Sequence, residues 1–354
     1  MAKRGFALAA SLALLVMAAV PVTARNINAD NLYSVHILAS GPIPDGDLVN
    51  GWGIVASPTS PWWVSDNGTK KSTLYNGNTG AKNPTVIVSV PGGPTGIVWN
   101  GSTTDFKVKA ATGDPTSARF IFATDDGQIA GWNGIGLAAI SAATTPGAIY
   151  LGLAIGSSGG ANYLYAANFP AARVDVFDAS YHIQHLSGGD FVDPGLPAGY
   201  APFGIQAIGN EIFIAYAKQD AAGDEELHGE GLGYVSAFGM DGSFHGRVAS
   251  AGELNAPWGL AMAPSDFGKF SGDLLVGNFG DGRIHAFRRT ASGWEAHGLI
   301  KGTNHRPISI DGLWGIGFGH GAATGSGPSN TLFFAAGPKD ETQGLFGAIT
   351  APAP

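Results

Sequence analysis

The hydrophobic positions of the chain fall into short runs that recur in a fixed order. One unit begins with an apolar run at Trp258-Gly259, continues with an apolar run over residues 274–278 that ends in a polar residue, and enters an alternating run over 284–287 after a Gly-Asp-Gly turn. Short apolar runs separated by turn residues are typical of antiparallel strands. The unit therefore predicts three strands of one small sheet.

The first run of this unit occurs six times, each time with a glycine at its second position. The six glycines are Gly53, Gly96, Gly152, Gly204, Gly259 and Gly315. Successive glycines are 43 to 56 residues apart, a spacing that fits one four-stranded propeller blade with loop insertions. We therefore predict an all-β fold, a six-bladed β-propeller that forms a single domain over residues 25–354.

The two ends of the repeat predict how the ring closes. After residue 349 only five residues remain, too few for the fourth strand of blade six, whereas residues 32–38 form an apolar run that precedes blade one. We expect this N-terminal strand to pair with the last blade. Such pairing removes an open sheet edge that would otherwise promote aggregation.

Composition supports many strands and turns and excludes several classes of function. The chain has 55 glycines, 21 prolines and 13% charged residues, against about 25% charged residues in an average domain. It has no cysteine, so thiol catalysis and cysteine-bound metals are excluded. The net charge of −8 argues against nucleic acid or an anionic membrane as partner, because both require clustered Lys and Arg.

The N-terminus has the pattern of a secretion signal. Lys3 and Arg4 precede an apolar run over residues 6–20, and small residues follow up to Ala24. About 15 apolar residues are short of the roughly 20 that span a bilayer, so a retained membrane anchor is the weaker alternative. We predict cleavage of residues 1–24 and a monomeric periplasmic or extracellular protein, without membrane insertion, whose partner is a protein, a glycan or a small molecule.

Several long motifs carry a resemblance. They include Pro-Trp-Trp-Val-Ser-Asp-Asn-Gly-Thr at 61–69, Phe-Ser-Gly-Asp-Leu-Leu-Val-Gly-Asn-Phe-Gly-Asp-Gly at 270–282 and Ile-Asp-Gly-Leu-Trp-Gly at 310–315. Together with similar motifs over about residues 30–350, they resemble a family of exported bacterial proteins of unknown function, some with a C-terminal sorting signal. The resemblance implies a secreted propeller and no particular activity. At the level of blades the chain is similar to NHL-repeat, gluconolactonase-like and streptogramin-lyase-like propellers.

Polar residues at the ends of four second strands form the main candidate site. They are Asp66, Asp125, Asn168 and Asn278. If the blades are equivalent, these side chains lie at similar heights around one mouth of the central channel, and their oxygens suit a divalent cation such as Ca²⁺. The similarity to gluconolactonases also implies a metal there. The alternative is that these residues cap the turns that follow the strands. No other cofactor is expected.

Three further residues are weak catalytic candidates. Lys218 and Asp340 lie in motifs that pair a cation with carboxylates just after a strand, so they could orient a substrate or transfer a proton, or simply form ion pairs. His320, at the start of a glycine-rich loop, is a candidate for proton transfer. His285 lies inside a third strand, where a structural role is expected.

An acidic insertion over residues 220–230 holds five carboxylates and His228. It lacks the spacing of an EF-hand loop, and it is interpreted as a mobile, solvated loop or as a lid or weak Ca²⁺ site.

The sequence features together favour a binding or scaffold module that uses one propeller face. The alternative is a metal-assisted hydrolase, lactonase or lyase with its site at the mouth of the channel.

Overall fold

The computed structural model describes residues 31–352, so the predicted signal peptide over residues 1–24 lies outside the described residues. Residues 31–352 form 27 β-strands and three one-turn 3-10 helices. No helix in this range is long and apolar enough to cross a membrane.

The first half of the described chain contains the N-terminal strand and blades one to three. Its strands are β1 (Ser34–Gly41); β2 (Gly51–Val55), β3 (Trp62–Asp66), β4 (Lys71–Tyr75) and β5 (Val88–Ser89) of blade one; β6 (Pro94–Trp99), the loop strands β7 (Lys107–Val108) and β8 (Thr116–Ser117), β9 (Phe120–Thr124), β10 (Gln128–Trp132) and β11 (Ile140–Thr144) of blade two; and β12 (Tyr150–Ser158), β13 (Ala161–Asn168), β14 (Arg173–Phe177) and β15 (Ile183–Gln184) of blade three.

The second half contains blades four to six. Its strands are β16 (Tyr200–Ile208), β17 (Glu211–Gln219), the loop strand β18 (Glu226–Leu227), β19 (Gly233–Gly239) and β20 (Phe244–Ser250) of blade four; β21 (Pro257–Met262), β22 (Leu274–Asn278), β23 (Ile284–Thr290) and β24 (Gly293–Leu299) of blade five; and β25 (Leu313–Phe318), β26 (Thr331–Ala336) and β27 (Gly344–Thr350) of blade six. The 3-10 helices are Asn67–Thr69, Gly268–Phe270 and Ala322–Thr324.

The strands form six antiparallel sheets of four main strands, arranged as a six-bladed β-propeller. In blade six the order is β25-β26-β27-β1, so the N-terminal strand is the outermost strand of the last blade. The pairing runs from Ser34 opposite Thr350 to Gly41 opposite Gly344. The predicted fold class and the predicted closure of the ring are both confirmed.

The connection from β1 to β2, residues 42–50, joins blade six to blade one, and we call it the seam. Lys82 Nζ lies 2.5 Å from Asp45 Oδ1 and 2.6 Å from Asp47 Oδ2, and Lys71 Nζ lies 2.6 Å from Asp47 Oδ1. All four side chains are partly buried. The seam is therefore held by ion pairs to the blade that it enters.

The six repeated glycines permit backbone contact between neighbouring first strands. A Cβ atom at Gly204 would lie 2.0 Å from Trp258 O, and one at Gly315 would lie 2.7 Å from Trp52 O, which closes the ring. Real Cβ atoms do not approach a backbone oxygen so closely, so any larger residue would push the strands apart. The cavity inside this glycine ring has a volume of about 20 Å³, close to the space that one water molecule requires.

The hydrophobic core lies mainly between the blades. Side chains of a second strand alternate between its two neighbours: Trp62 and Val64 pack in the cluster shared with blade six, and Trp63 packs in the cluster shared with blade two. Equivalent clusters fill the other interfaces, and a further cluster lies at one mouth of the channel. That mouth is on the face where first strands begin and second strands end, which we call the upper face.

Candidate functional site

Aromatic side chains fill the upper mouth of the channel. This aromatic mouth cluster consists of Trp52, Phe203, Trp258, Phe279 and Trp314, all buried. The Trp314 ring stacks on Trp52 with centroids 3.7 Å apart and on Phe279 at 3.9 Å. Four of the five residues directly precede a glycine of the ring in the sequence, so the repeat itself places aromatic rings at the mouth. A ligand on the upper face would therefore bind above this cluster and not inside the channel.

The connection between β17 and β19, residues 220–232, lies over this cluster, and we call it the acidic loop. The ring of His228 lies edge-on to Phe279 with centroids 5.0 Å apart, and its Nε2 lies 3.0 Å from Glu226 Oε1. The backbone N–H of Gly229 donates to Asn255 Oδ1 at 2.7 Å. The loop thus leaves blade four and is held against residues of blade five.

Glu341 reaches the same region from the connection between β26 and β27. It follows Lys339 and Asp340, and all three residues have left-handed φ angles of 56°, 50° and 62°, a conformation that costs energy for any residue with a side chain. Asn50 Nδ2 donates to Glu341 Oε2 at 2.9 Å, while Asn50 Oδ1 accepts from Trp314 Nε1 at 3.1 Å. Asn50 therefore links the carboxylate to the aromatic mouth cluster.

The charges of this region are negative and poorly compensated. Burial, and then the charge of Glu226, raise the pKa of Glu341 to about 7. Burial and the neighbouring carboxylates, Glu226 first, also raise the pKa of Glu225. The hydrogen bond to Glu226 raises the pKa of His228. Within residues 31–352, no Lys or Arg forms an ion pair with Glu341 or with a carboxylate of the acidic loop.

Three of the four residues predicted to bind a metal occupy equivalent places in their blades. Asp66 Oδ2 accepts from Thr73 Oγ1 at 2.7 Å, and burial raises the pKa of Asp66 well above its usual range. Asn168 Nδ2 donates to Asp175 Oδ2 at 2.7 Å, and Asn278 Nδ2 donates to a backbone oxygen at 2.9 Å. Each side chain is buried and makes this hydrogen bond separately from the others.

The fourth residue, Asp125, lies one position beyond the equivalent place. Thr124 pairs with Pro94, as Asn278 pairs with the proline at the start of β21, so Thr124 is the equivalent residue of blade two. Asp125 is exposed and accepts hydrogen bonds from Gly93 N at 3.0 Å and from Asn67 Nδ2 at 2.9 Å.

The described part of the chain contains no group of three or more His, Asp or Glu side chains placed to hold a metal. A cation bound by Asp66, Asp125, Asn168 and Asn278 stays a prediction.

The weak catalytic candidates are divided between the two faces. Lys218 and Asp340 lie on the upper face; Lys218 Nζ donates to Ala198 O at 3.0 Å and lies 5.0 Å from the centre of the Tyr200 ring. His320 lies on the opposite face, after β25. Its Nδ1 donates to the carbonyl oxygen of Ser57 at 3.0 Å. His320 is therefore separated from the other two candidates by the height of the ring.

The sequence indicates the acidic insertion and the motif at 339–341 as separate features, with nothing to show that they meet. Nor does it indicate Asn50. The signal that was available is the predicted ring closure, because closure puts the start of blade one beside blade six. It therefore puts Asn50 beside the loop that holds Glu341, 291 residues away in sequence.

Sequence comparison places the chain among viral relatives. No family model matches it. An uncharacterised protein of Acanthamoeba polyphaga mimivirus is 32% identical over 321 residues, which cover 86% of this chain and 76% of the relative. The chain belongs to the same family as that protein. A second family member from the same virus, also uncharacterised, is 32% identical over 328 residues and is covered to 81%. Because these members are viral, an exported bacterial origin stays a prediction.

Comparison with solved structures confirms the fold. A streptogramin B lyase structure covers 90% of this chain and is itself covered to 98%, with a TM-score of 0.52 and 12% identity. A glucose dehydrogenase covers 91%, is covered completely, and has a TM-score of 0.53 and 12% identity. The predicted blade-level similarity to lyase-like propellers is therefore confirmed. At this identity the likeness shows the propeller fold and no activity.

Proposed function

We propose that this protein is a binding module whose upper face takes an organic cation, an ammonium or guanidinium group carried by a partner or a small molecule. The observation that supports this proposal is the set of carboxylates on the acidic loop and Glu341, which have no Lys or Arg ion-pair partner within residues 31–352. Partly buried carboxylates that raise one another's pKa gain the most from an incoming positive charge.

An organic cation fits this region better than a bare metal ion. Ca²⁺ needs six to eight oxygen ligands, whereas no group of three acidic or His side chains within the described residues is placed to hold a metal. An ammonium or guanidinium group needs only one or two carboxylates for strong charge-assisted hydrogen bonds. Glu226 belongs to the acidic loop and Glu341 to the connection between β26 and β27, and burial and then the charge of Glu226 raise the pKa of Glu341.

Titration calorimetry with spermidine, a Lys-rich peptide and CaCl₂ would test this proposal. We expect the two organic cations to bind, more tightly at pH 8 than at pH 6 because Glu341 loses its proton. The double variant Glu225→Gln with Glu226→Gln should bind about tenfold more weakly. The matched control is Glu295→Gln, an exposed carboxylate on β24. Failure of both cations to bind the wild-type protein, or equal affinity in the double variant, would refute the proposal.

The second candidate is a metal-assisted hydrolase, lactonase or lyase that uses the four predicted ligands. One observation favours it: the Oδ1 atoms of Asp66, Asn168 and Asn278 are buried, and no hydrogen-bond donor within the described residues reaches them. Metal analysis, with thermal melting before and after chelation, would test it. The variant Asp66→Asn keeps an acceptor for Thr73 and removes the ionisable group. An unchanged melting temperature after chelation and unchanged turnover of lactones and esters in this variant would contradict a metal enzyme.

A further inference from the structure

A polar pair recurs at the same two places in different blades. One residue of the pair is the last residue of the second strand. The other lies on the third strand, opposite the residue that is two positions before the end of the second strand. In blade one, Thr73 is opposite Val64 and donates from Oγ1 to Asp66 Oδ2 at 2.7 Å. In blade three, Asn168 donates from Nδ2 to Asp175 Oδ2 at 2.7 Å. These two places are thus within hydrogen-bond reach of each other in this fold.

Blade five puts Asn278 and His285 at these two places, because His285 is opposite Val276. Both side chains also contact Glu253 in the connection from blade four. Asn278 Nδ2 donates to Glu253 O at 2.9 Å, and His285 Nδ1 lies 3.2 Å from Glu253 Oε2. Both members of the pair therefore lie against the same residue.

These contacts leave two acceptors facing the interface. A carbonyl oxygen only accepts, so the amide NH₂ of Asn278 must point to Glu253 O and its Oδ1 must point elsewhere. A carboxylate also only accepts, so Glu253 Oε2, 3.2 Å from Nδ1, favours the tautomer with the proton on Nδ1. In that tautomer Nε2 carries a lone pair and can only accept a hydrogen bond.

Neither acceptor has a donor. Asn278 Oδ1 and His285 Nε2 are both buried, and no donor within residues 31–352 reaches them. His285 is 3% exposed and Asn278 is 0% exposed. The direct hydrogen bond of blades one and three is impossible here, because two acceptors cannot bond to each other. The pair needs a third group with two donors.

We propose that a buried water molecule binds between blades four and five and donates one proton to Asn278 Oδ1 and the other to His285 Nε2. Buried waters bridge two to four polar groups that would otherwise lack partners. The adjoining side of blade four provides apolar side chains, including Val235 and Leu254, so the further ligands that a metal ion requires are not at hand. The water would tie the second and third strands of blade five together beside the connection that Glu253 occupies.

Two measurements on the wild-type protein test this site without any risk of misfolding. Long-range ¹H–¹⁵N correlation spectra of the histidine rings should show His285 as the Nδ1–H tautomer with a hydrogen-bonded Nε2, and its Hε1 should show an Overhauser effect to a long-lived water. A high-resolution crystal structure should show density within hydrogen-bond distance of both acceptors. A dry site, an Nε2–H tautomer, or density about 2.1 Å from Nε2 with the anomalous signal of a metal would overturn the proposal.

A pair of variants gives an independent test. His285→Gln supplies an amide donor that can reach Asn278 Oδ1 directly, so the water signal should disappear and the melting temperature should stay near the wild-type value. His285→Phe leaves Asn278 Oδ1 without a donor and should melt at least about 2–4 °C lower than His285→Gln. The reverse order of melting temperatures, or a water signal that survives in both variants, would contradict a bridging water. Neither result bears on cation binding at the upper face.

Discussion

The carboxyl group of Glu341 should make the stability of the propeller fall as the pH rises from about 4.5 to about 7. Burial raises its pKa to about 7 in the folded protein, from an ordinary value of 4.5. Below about pH 4.5 both states hold the proton, and the full stability is present. Between the two values the folded state binds more protons than the unfolded state, so the free energy of unfolding decreases with rising pH until the group ionises in both.

The magnitude follows from the difference between the two pKa values. A shift from 4.5 to about 7 corresponds to at most about 3.4 kcal/mol, because one unit is worth about 1.36 kcal/mol. Glu341 is only partly buried, and solvent screening reduces the effect to roughly 1–2 kcal/mol. The variant Glu341→Gln keeps an acceptor for Asn50 Nδ2 and cannot ionise. We therefore expect it to be more stable than the wild type by roughly 1–2 kcal/mol at pH 8.5 and equally stable near pH 4.5.

Urea denaturation followed by tryptophan fluorescence at pH 4.5 and pH 8.5 would measure these free energies. The control Glu295→Gln, on the outermost strand of blade five, should show no such pH dependence. A stability difference for Glu341→Gln that is the same at both pH values would refute the reasoning. So would a ¹³C titration of the Glu341 carboxyl group with a midpoint near 4.5, because the acidic loop would then not bury or repel it.

Three further predictions concern the ring. Gly204→Ala should lower the stability by about 1–3 kcal/mol or more, because its Cβ would meet the backbone of the next first strand; Gly46→Ala, with open space around it, should melt like the wild type. Lys82→Ala should cost about 1–3 kcal/mol in urea denaturation, because it leaves two partly buried aspartates of the seam without this cation, whereas the exposed Lys70→Ala should be neutral. Deletion of residues 31–40 should give aggregated protein in size-exclusion chromatography; a soluble, equally stable monomer would contradict the role of the closing strand.

The propeller could be predicted because its repeat has a strong physical cause. Neighbouring first strands touch backbone to backbone, and only glycine permits this contact, so a glycine recurs in every blade. The closing strand could be predicted because blade six lacks a fourth strand of its own, and the strand that precedes blade one belongs to no other blade. The exact pairing register of the strands could not be predicted from the sequence. Asp125 resembles Asp66 as the first acidic residue after an apolar run, but Thr124 pairs with Pro94 as Asp66 pairs with Gly51, so Thr124 takes the place of Asp66.

The upper-face site was only partly predictable, because its residues come from distant parts of the chain. Asn50 lies in the seam, His228 in the acidic loop of blade four and Glu341 in blade six, and only the closed ring and the path of the acidic loop bring them together. Their charge states also depend on burial. The raised pKa of Glu341 is due first to burial and then to Glu226. The sequence at 339–341 does not indicate whether the loop is solvated or buried.

The aromatic mouth cluster also restricts what an enzyme of this fold could do. Trp52 and Trp314 close the channel on the upper face, so any reacting group must stand above them. The titratable groups there include Glu341 and His228, whose pKa values are both raised. Turnover in a lactone or ester screen should therefore depend on proton transfer by these two residues. Its pH profile should change near pH 7, and Glu341→Gln and His228→Gln should each reduce it. Turnover that survives both variants would place the chemistry elsewhere, and dependence on Asp66 with chelator sensitivity would then favour the buried oxygens of the second strands.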